Sequence, residues 1–330
     1  MTGIAFVFPG QGTQRLGMGS GVWDLSARAA RLYRRAGEVL GFDVIDLCRQ
    51  GPPQRLLATE NAQPAVFVTN CAYAAAVEER LGPPLAVAGH SVGELSALVS
   101  AGALDFDDGV RLVRARGELM AAAPAGTMAA VRGLSRDRVE ALTAAVSTPR
   151  RPVVVAVVNG PVELVIAGCA SAVDAVSVVA GRLAGCSVQA LRVSGAFHSP
   201  LMAGVVGPWR SLVDEVELHV PDRPVAMNAP GRIVGDVPTL RGALVDQLTF
   251  PVAWDSCVRA LLAVGAHGAV ECGDSRILRH LNADLGLPTS AFRSAREVAS
   301  LGSGATDAPG PAGPSGAARS GARAAPVEVA

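Results

Sequence analysis

The succession that most restricts this chain runs from residue 85 to residue 101. Leu85-Ala86-Val87-Ala88-Gly89 is an apolar run of the length of one buried strand, His90-Ser91-Val92-Gly93 follows at once, and residues 94–101 read as a helix. A buried strand turning sharply into a helix belongs to a layered α/β fold, in which helices cover a mostly parallel sheet. Gly89-His90-Ser91-Val92-Gly93 also has the G-x-S-x-G spacing of a nucleophile elbow. The reason for that spacing is steric. The serine sits on a strained turn, small neighbours let the backbone pass close by, and the hydroxyl is exposed at a helix amino terminus. The competing reading is an ordinary turn whose serine caps the helix. The strand before and the helix after favour the nucleophile.

Residues 4–8 form another short apolar strand, which runs into Pro9-Gly10-Gln11-Gly12-Thr13-Gln14. A polar loop at the carboxyl end of a buried strand is where α/β folds place ligands. Helical spacing is read over 23–40 and over 63–81, the second entered through Pro64. Between 127 and 193 the rhythm changes to strand 127–132, helix 136–146, strands 153–158 and 164–167, helix 171–184 and strand 188–193. This β-α-β-β-α-β order is the split βαβ of ferredoxin-like domains. Residues 201–271 then return to the larger unit, with helices near 201–216, 240–248 and 254–264 and strands at 225–227 and 269–271. The expected organisation is a large α/β-hydrolase-like domain with a parallel sheet (1–126 and 194–296). A small ferredoxin-like α+β domain (127–193) is inserted in it. Residues 297–330 are expected to be a disordered tail, because 21 of the 25 residues from 302 to 326 are Gly, Ala, Pro or Ser.

Composition removes several classes of partner. The 29 basic residues, all Arg, balance 29 acidic ones and form no basic block, which argues against nucleic acid. No stretch approaches the ~20 unbroken apolar residues of a membrane span, and residues 1–8 have no basic leader. The six cysteines form no C-x-x-C pair and read as buried thiols of a reducing compartment. The expectation is a cytoplasmic monomer.

A serine nucleophile needs a base, and the chain offers His90, His198, His219, His267 and His280. His198 stands out because Ser194-Gly195-Ala196-Phe197-His198-Ser199-Pro200 links the small domain to the large one, where a side chain can overhang the site. A Ser–His pair implies acyl transfer through an acyl-serine. No Asp or Glu stands out as a third member.

Four separated blocks carry a resemblance to a known family: Phe8-Pro9-Gly10-Gln11-Gly12-Thr13-Gln14, Gly89-His90-Ser91-Val92-Gly93-Glu94, Arg116-Gly117-Glu118-Leu119-Met120, and Gly195-Ala196-Phe197-His198-Ser199-Pro200-Leu201-Met202. Weaker matches are Gln63-Pro64, Asn159-Gly160-Pro161 and the stretch 247–254. In these the chain resembles the malonyl-CoA:acyl carrier protein transacylases and the acyltransferases of polyketide synthases. The resemblance implies that Ser91 is acylated and that His198 is the general base. It implies an oxyanion hole from the backbone N–H groups of Gln11 and Val92, and a main-chain carbonyl at Gln247 that orients the histidine. It also implies that Arg116 binds the malonyl carboxylate, with Gln63, His90 and Phe197 around the substrate.

A guanidinium suits that task because its parallel N–H donors match a carboxylate. Phe197 and Val92 stand where relatives that take methylmalonyl groups carry a small residue and a Gln, so unbranched malonyl is expected. No metal or redox cofactor is implied; the partners are malonyl-CoA and an acyl carrier protein of fatty acid or polyketide synthesis, the latter slightly favoured. Departures include a shorter loop at 124–128 and Gly273-Asp274-Ser275 where Gly-Pro-Gly is common. The rivals are an acyltransferase or proofreading hydrolase for non-carboxylated groups, and a non-catalytic docking protein.

Overall fold

The structure, a computed structural model, describes residues 3–292 and 294–301. The first sheet has strands β1 (Ile4–Phe8), β2 (Val87–Gly89), β7 (Val225–Met227), β8 (Arg232–Val234), β10 (Gly268–Glu271) and β11 (Thr289–Ala291). Their order is β11-β10-β1-β2-β7-β8. All pairings are parallel except the last, since β8 returns antiparallel on β7 and makes the sheet mixed. The two central strands, β1 and β2, carry no polar side chain because helices leave them no wet face. The longest helix, Thr59–Leu81, begins four residues before the expected start and carries Pro64 inside it. It is buried through almost all of its turns, so its sequence has no apolar stripe. The expected helix over 23–40 is divided at Ser26, whose side chain accepts the Ala29 N–H and caps the second piece, Ala27–Leu40.

The second sheet comprises β3 (Thr127–Arg132), β4 (Val153–Gly160), β5 (Glu163–Gly168) and β6 (Ser187–Ala190) in the order β6-β3-β5-β4, and β9 (Val252–Ala253) joins β4 in parallel. Alternation divides its faces. Ala129, Val131, Leu164 and Ile166 pack with helices Arg136–Val146 and Ala170–Ala180 in a core of their own, while Met128, Ala130, Val165 and Ala167 belong to the core of the first sheet. In β4 the register shifts between Val155 and Val157. This irregularity changes the parity, so Val153, Val155 and Val158 face the small core while Val157 and Asn159 face the large unit.

Two expectations are corrected at the edges. Residues 297–301 are not tail: Ala295–Ala299 is a helix with Val298 fully buried, and the remaining tail residues, 302–330, lie outside the described residues. Strand β6 stops at Ala190, short of the expected end at residue 193. Four cysteines are buried as expected, but Cys169 and Cys186 are half-buried. Among the described residues no helix is long and apolar enough to cross a membrane.

Candidate active site

Ser91 follows β2 directly and precedes the helix Gly93–Ser100. Its φ of 52° lies in the left-handed region, a strained conformation for a residue with a Cβ. The flanking glycines make the turn possible. A Cβ on Gly89 would come within 2.0 Å of the Gly93 carbonyl group, and one on Gly93 within 2.3 Å of the Phe8 carbonyl oxygen. The Ser91 backbone thus lies against the end of β1, where the Gln11 loop starts.

His198 is also left-handed, with φ of 56°, and is 3% exposed. Its Nε2 is 2.8 Å from Ser91 Oγ, and its Nδ1 is 2.7 Å from the Gln247 carbonyl oxygen. A carbonyl oxygen only accepts, so Nδ1 carries the proton and the bare Nε2 faces the serine hydroxyl. Burial, and next the Arg116 cation, bring the imidazole down to about 3, so it is neutral at ordinary pH.

Behind the pair lies a buried polar network. Arg116, 2% exposed, donates from Nη1 to Gln63 Oε1 and from Nη2 to Gln247 Oε1, each at 2.8 Å, and Nη2 is 3.4 Å from Ser91 Oγ. Gln247 Nε2 donates to Glu94 Oε1 at 2.8 Å and to the Ser91 carbonyl at 3.0 Å. Asn228 closes the ring. Its N–H donates to Glu94 Oε2, its Nδ2 donates to the Gly89 carbonyl at 2.6 Å, and its Oδ1 accepts the Ser91 N–H at 2.8 Å. Burial pushes the Glu94 carboxyl up, opposed by these two donors and by Arg116. The same burial pulls Arg116 down to about 10, opposed by Glu94. The two fully enclosed groups balance each other's charge, and a cation is held beside the serine hydroxyl.

The acyl transferase domain family matches residues 5–227. The chain belongs to that family. It is 36% identical over 284 residues to the malonyl CoA-acyl carrier protein transacylase of Bacillus subtilis, covering 85% of this chain and 90% of that one. It is 41% identical over 280 residues to the polyketide biosynthesis protein ThaF of Burkholderia thailandensis, of which it spans 24%. The crystal structure of the malonyl-CoA:acyl carrier protein transacylase from Xanthomonas oryzae superposes with a TM-score of 0.86 at 34% identity, covering 92% of this chain and 98% of that one. The fold is that of the transacylases.

In this acyltransferase a cavity of about 170 Å³ opens between the two sheets over Ser91 and His198. Gly10, Gln11 and Gly12 line one wall, Met128, Ala130, Val157 and Val165 another, and Ile277, Leu278 and Leu281 a third. Among the described residues the backbone N–H groups of Gln11 and Val92 have no intramolecular acceptor. Phe197, 5% exposed, lines the cavity beside His198. His90 lines it too, and its Nε2 donates to Asn159 Oδ1 at 3.0 Å, tying the elbow to β4. Gln63 is fully buried and braces Arg116 from behind. His219, His267 and His280 are absent from the cavity lining. Among the described residues no cluster of His, Cys, Asp or Glu could hold a metal ion.

The roles of Glu94, Asn228 and the Gln247 side chain were missed in the sequence. Two signals were available: a charged residue inside the apolar segment Gly93–Ser100, and an Asn at the carboxyl end of strand Val225–Met227. The neutral His198 leads to a pH prediction that needs no substrate. Because its base is held below the imidazole value of 6.5, inactivation of Ser91 by a sulfonyl fluoride should keep its rate well below pH 6.5. Arg116→Ala removes one of the lowering causes, so the acid limb of the rate–pH curve should move to higher pH. An unmoved or downward-moving limb would show that Arg116 does not act on His198.

Proposed function

We propose that the chain moves a malonyl group from malonyl-CoA to the phosphopantetheine thiol of an acyl carrier protein, through an ester on Ser91. Ser91 Oγ attacks the thioester carbonyl as its proton passes to His198 Nε2. The backbone N–H groups of Gln11 and Val92 stabilise the oxyanion. Collapse of the adduct breaks the C–S bond, and the departing coenzyme A sulfur takes the proton from His198. The carrier thiol then gives its proton to His198 and attacks the ester, and Ser91 Oγ recovers that proton. His198 needs no carboxylate in this scheme, because the Gln247 carbonyl keeps Nδ1 protonated.

The observation that carries the reading is the enclosed guanidinium of Arg116 beside the serine hydroxyl. A buried cation there favours an acyl group that ends in a carboxylate over an uncharged one. The malonyl carboxylate would also offset the charge that depresses His198, raising the basicity of the imidazole in the loaded complex. The test is the mass of the intact protein after incubation with malonyl-CoA or acetyl-CoA. Malonyl mass should appear, and disappear when a holo carrier protein is added. Equal loading by both donors would overturn the reading.

Phe197 is the residue we assign to the size limit. Replacing it with serine should improve methylmalonyl-CoA relative to malonyl-CoA in kcat/KM by about tenfold, since one methyl is worth ~1–3 kcal/mol in a tight pocket. An unchanged ratio would place the limit elsewhere. The similarity to a polyketide biosynthesis protein supports a polyketide carrier as acceptor, and comparing transfer to fatty-acid and polyketide carriers tests this.

A further inference from the structure

The segment 9–21, which holds Gln11 at the cavity, lies outside helices and strands, and Gly12, Gly17, Gly19 and Gly21 all have positive φ. Such a loop has little conformational preference of its own, so its shape is set by its ties to the rest of the molecule. At its start Asn70 Nδ2 donates to the Pro9 carbonyl at 2.9 Å. Past its middle the Gly17 N–H donates to the Cys48 carbonyl at 2.7 Å, and the side-chain tie is Asp274. This carboxylate is 7% exposed. Its Oδ1 accepts from Arg15 Nη2 at 2.6 Å and its Oδ2 accepts the Gly19 N–H at 2.8 Å. Asp274 lies between β10 and the helix Ile277–Asp284, whose Ile277, Leu278 and Leu281 form the opposite wall of the cavity. One side chain therefore joins the loop that presents Gln11 to the segment that begins the facing wall. The far end of the loop is closed as well. A Cβ on Gly21 would come within 2.9 Å of Ala295 Cβ, in the helix Ala295–Ala299.

We propose that Asp274, through Arg15 and Gly19, is a positioning residue that holds the Gln11 N–H where the oxyanion forms. Asp274 does not line the cavity, so its effect falls on a contact made in the transition state and not on binding of the donor. The inference rests on the acyl-serine reading above, and the experiment separates the two. Single-turnover loading by malonyl-CoA is followed by intact mass for the unaltered chain, Asp274→Asn, Arg15→Met and the double variant, each well below its own melting temperature. If the unaltered chain gains no malonyl mass, the proposed function fails and this inference falls with it. If it is loaded, Asp274→Asn should lower the maximal rate by about tenfold with KM within about twofold, a fraction of the ~10²–10³ cost of losing an oxyanion donor outright. Arg15→Met, at a half-exposed position that is safe for folding, should lower the rate about threefold. The double variant should be no slower than Asp274→Asn, since both act through one tie. A purely structural Asp274 would lower the melting temperature and leave the maximal rate unchanged. That result, or a rise in KM alone, would overturn the inference.

Discussion

With Ser91 replaced by alanine, the chain should gain no malonyl mass from malonyl-CoA, and transfer to a carrier protein should fall by ~10⁴-fold or more. The argument is geometric. Ser91 Oγ is the hydroxyl that His198 Nε2 faces at 2.8 Å, and the strained turn that aims it is built by Gly89, Gly93 and the end of β1. The substitution removes one oxygen and keeps the Cβ already accommodated there, and the backbone N–H to Asn228 remains. Folding should therefore be preserved, and the loss should be chemical. The measurement is paired: mass gain with malonyl-CoA, and thermal melting without it. Retained malonyl mass on a folded Ser91→Ala chain would exclude an ester at this serine. Retained transfer to the carrier without any mass gain would point to direct transfer with no covalent stage.

Arg116→Ala should lower malonyl loading by ~10²-fold or more and leave acetyl loading far less affected. Truncating one partner of a buried, hydrogen-bonded charge pair costs about 2–5 kcal/mol, and each 1.4 kcal/mol is a factor of ten. On the proposed function the carboxylate of malonate would have such a partner in Arg116, whereas the methyl group of acetate would have none. The substitution also leaves Glu94 buried without its cation. Arg116 is one of the groups that lower the Glu94 pKa, so removing it should push the carboxyl higher still and favour its protonated form. A protonated Glu94 fits poorly against the Asn228 N–H and the Gln247 N–H, both of which require an acceptor. Some stability should be lost as well, so the ratio of malonyl to acetyl loading is the quantity that decides. If both donors lose rate equally, Arg116 supports the site but does not read the carboxylate.

Much of the fold could be read because local signals agreed with the tertiary answer. Ile4–Phe8, Thr127–Arg132, Arg136–Val146 and Val225–Met227 have the bounds expected of them, each being a uniform apolar run or a clear helical period between turn residues. Helix Thr59–Leu81 was harder to delimit. It is buried on nearly all sides, so periodicity does not mark its start, and a proline sits inside it. The helix Ala295–Ala299 runs into the expected tail. Buried Val298 anchors Ala295–Ala299 and Leu301 packs against the same core, and two apolar residues in so short a stretch mark no period.

The site divides in the same way. Gly89-His90-Ser91-Val92-Gly93 is contiguous, and its spacing carries the steric reason for the turn, so the sequence by itself determined the strained elbow and its serine. His198 could be singled out by residue type and setting, and Arg116 only by the resemblance to the family. Their relation to Ser91 could not, because it is made across 107 and 25 residues of chain. Only the tertiary structure decided that Glu94 is the counter-charge of Arg116, that Gln247 serves with both its carbonyl and its amide, and that Asn159 reaches His90. The last depends on a register shift within β4 that turns Val157 and Asn159 away from the small core, and no alternation of residues predicts it. A buried polar group must find its partners wherever the packed chain brings them, so its sequence shows the need while the fold supplies the answer.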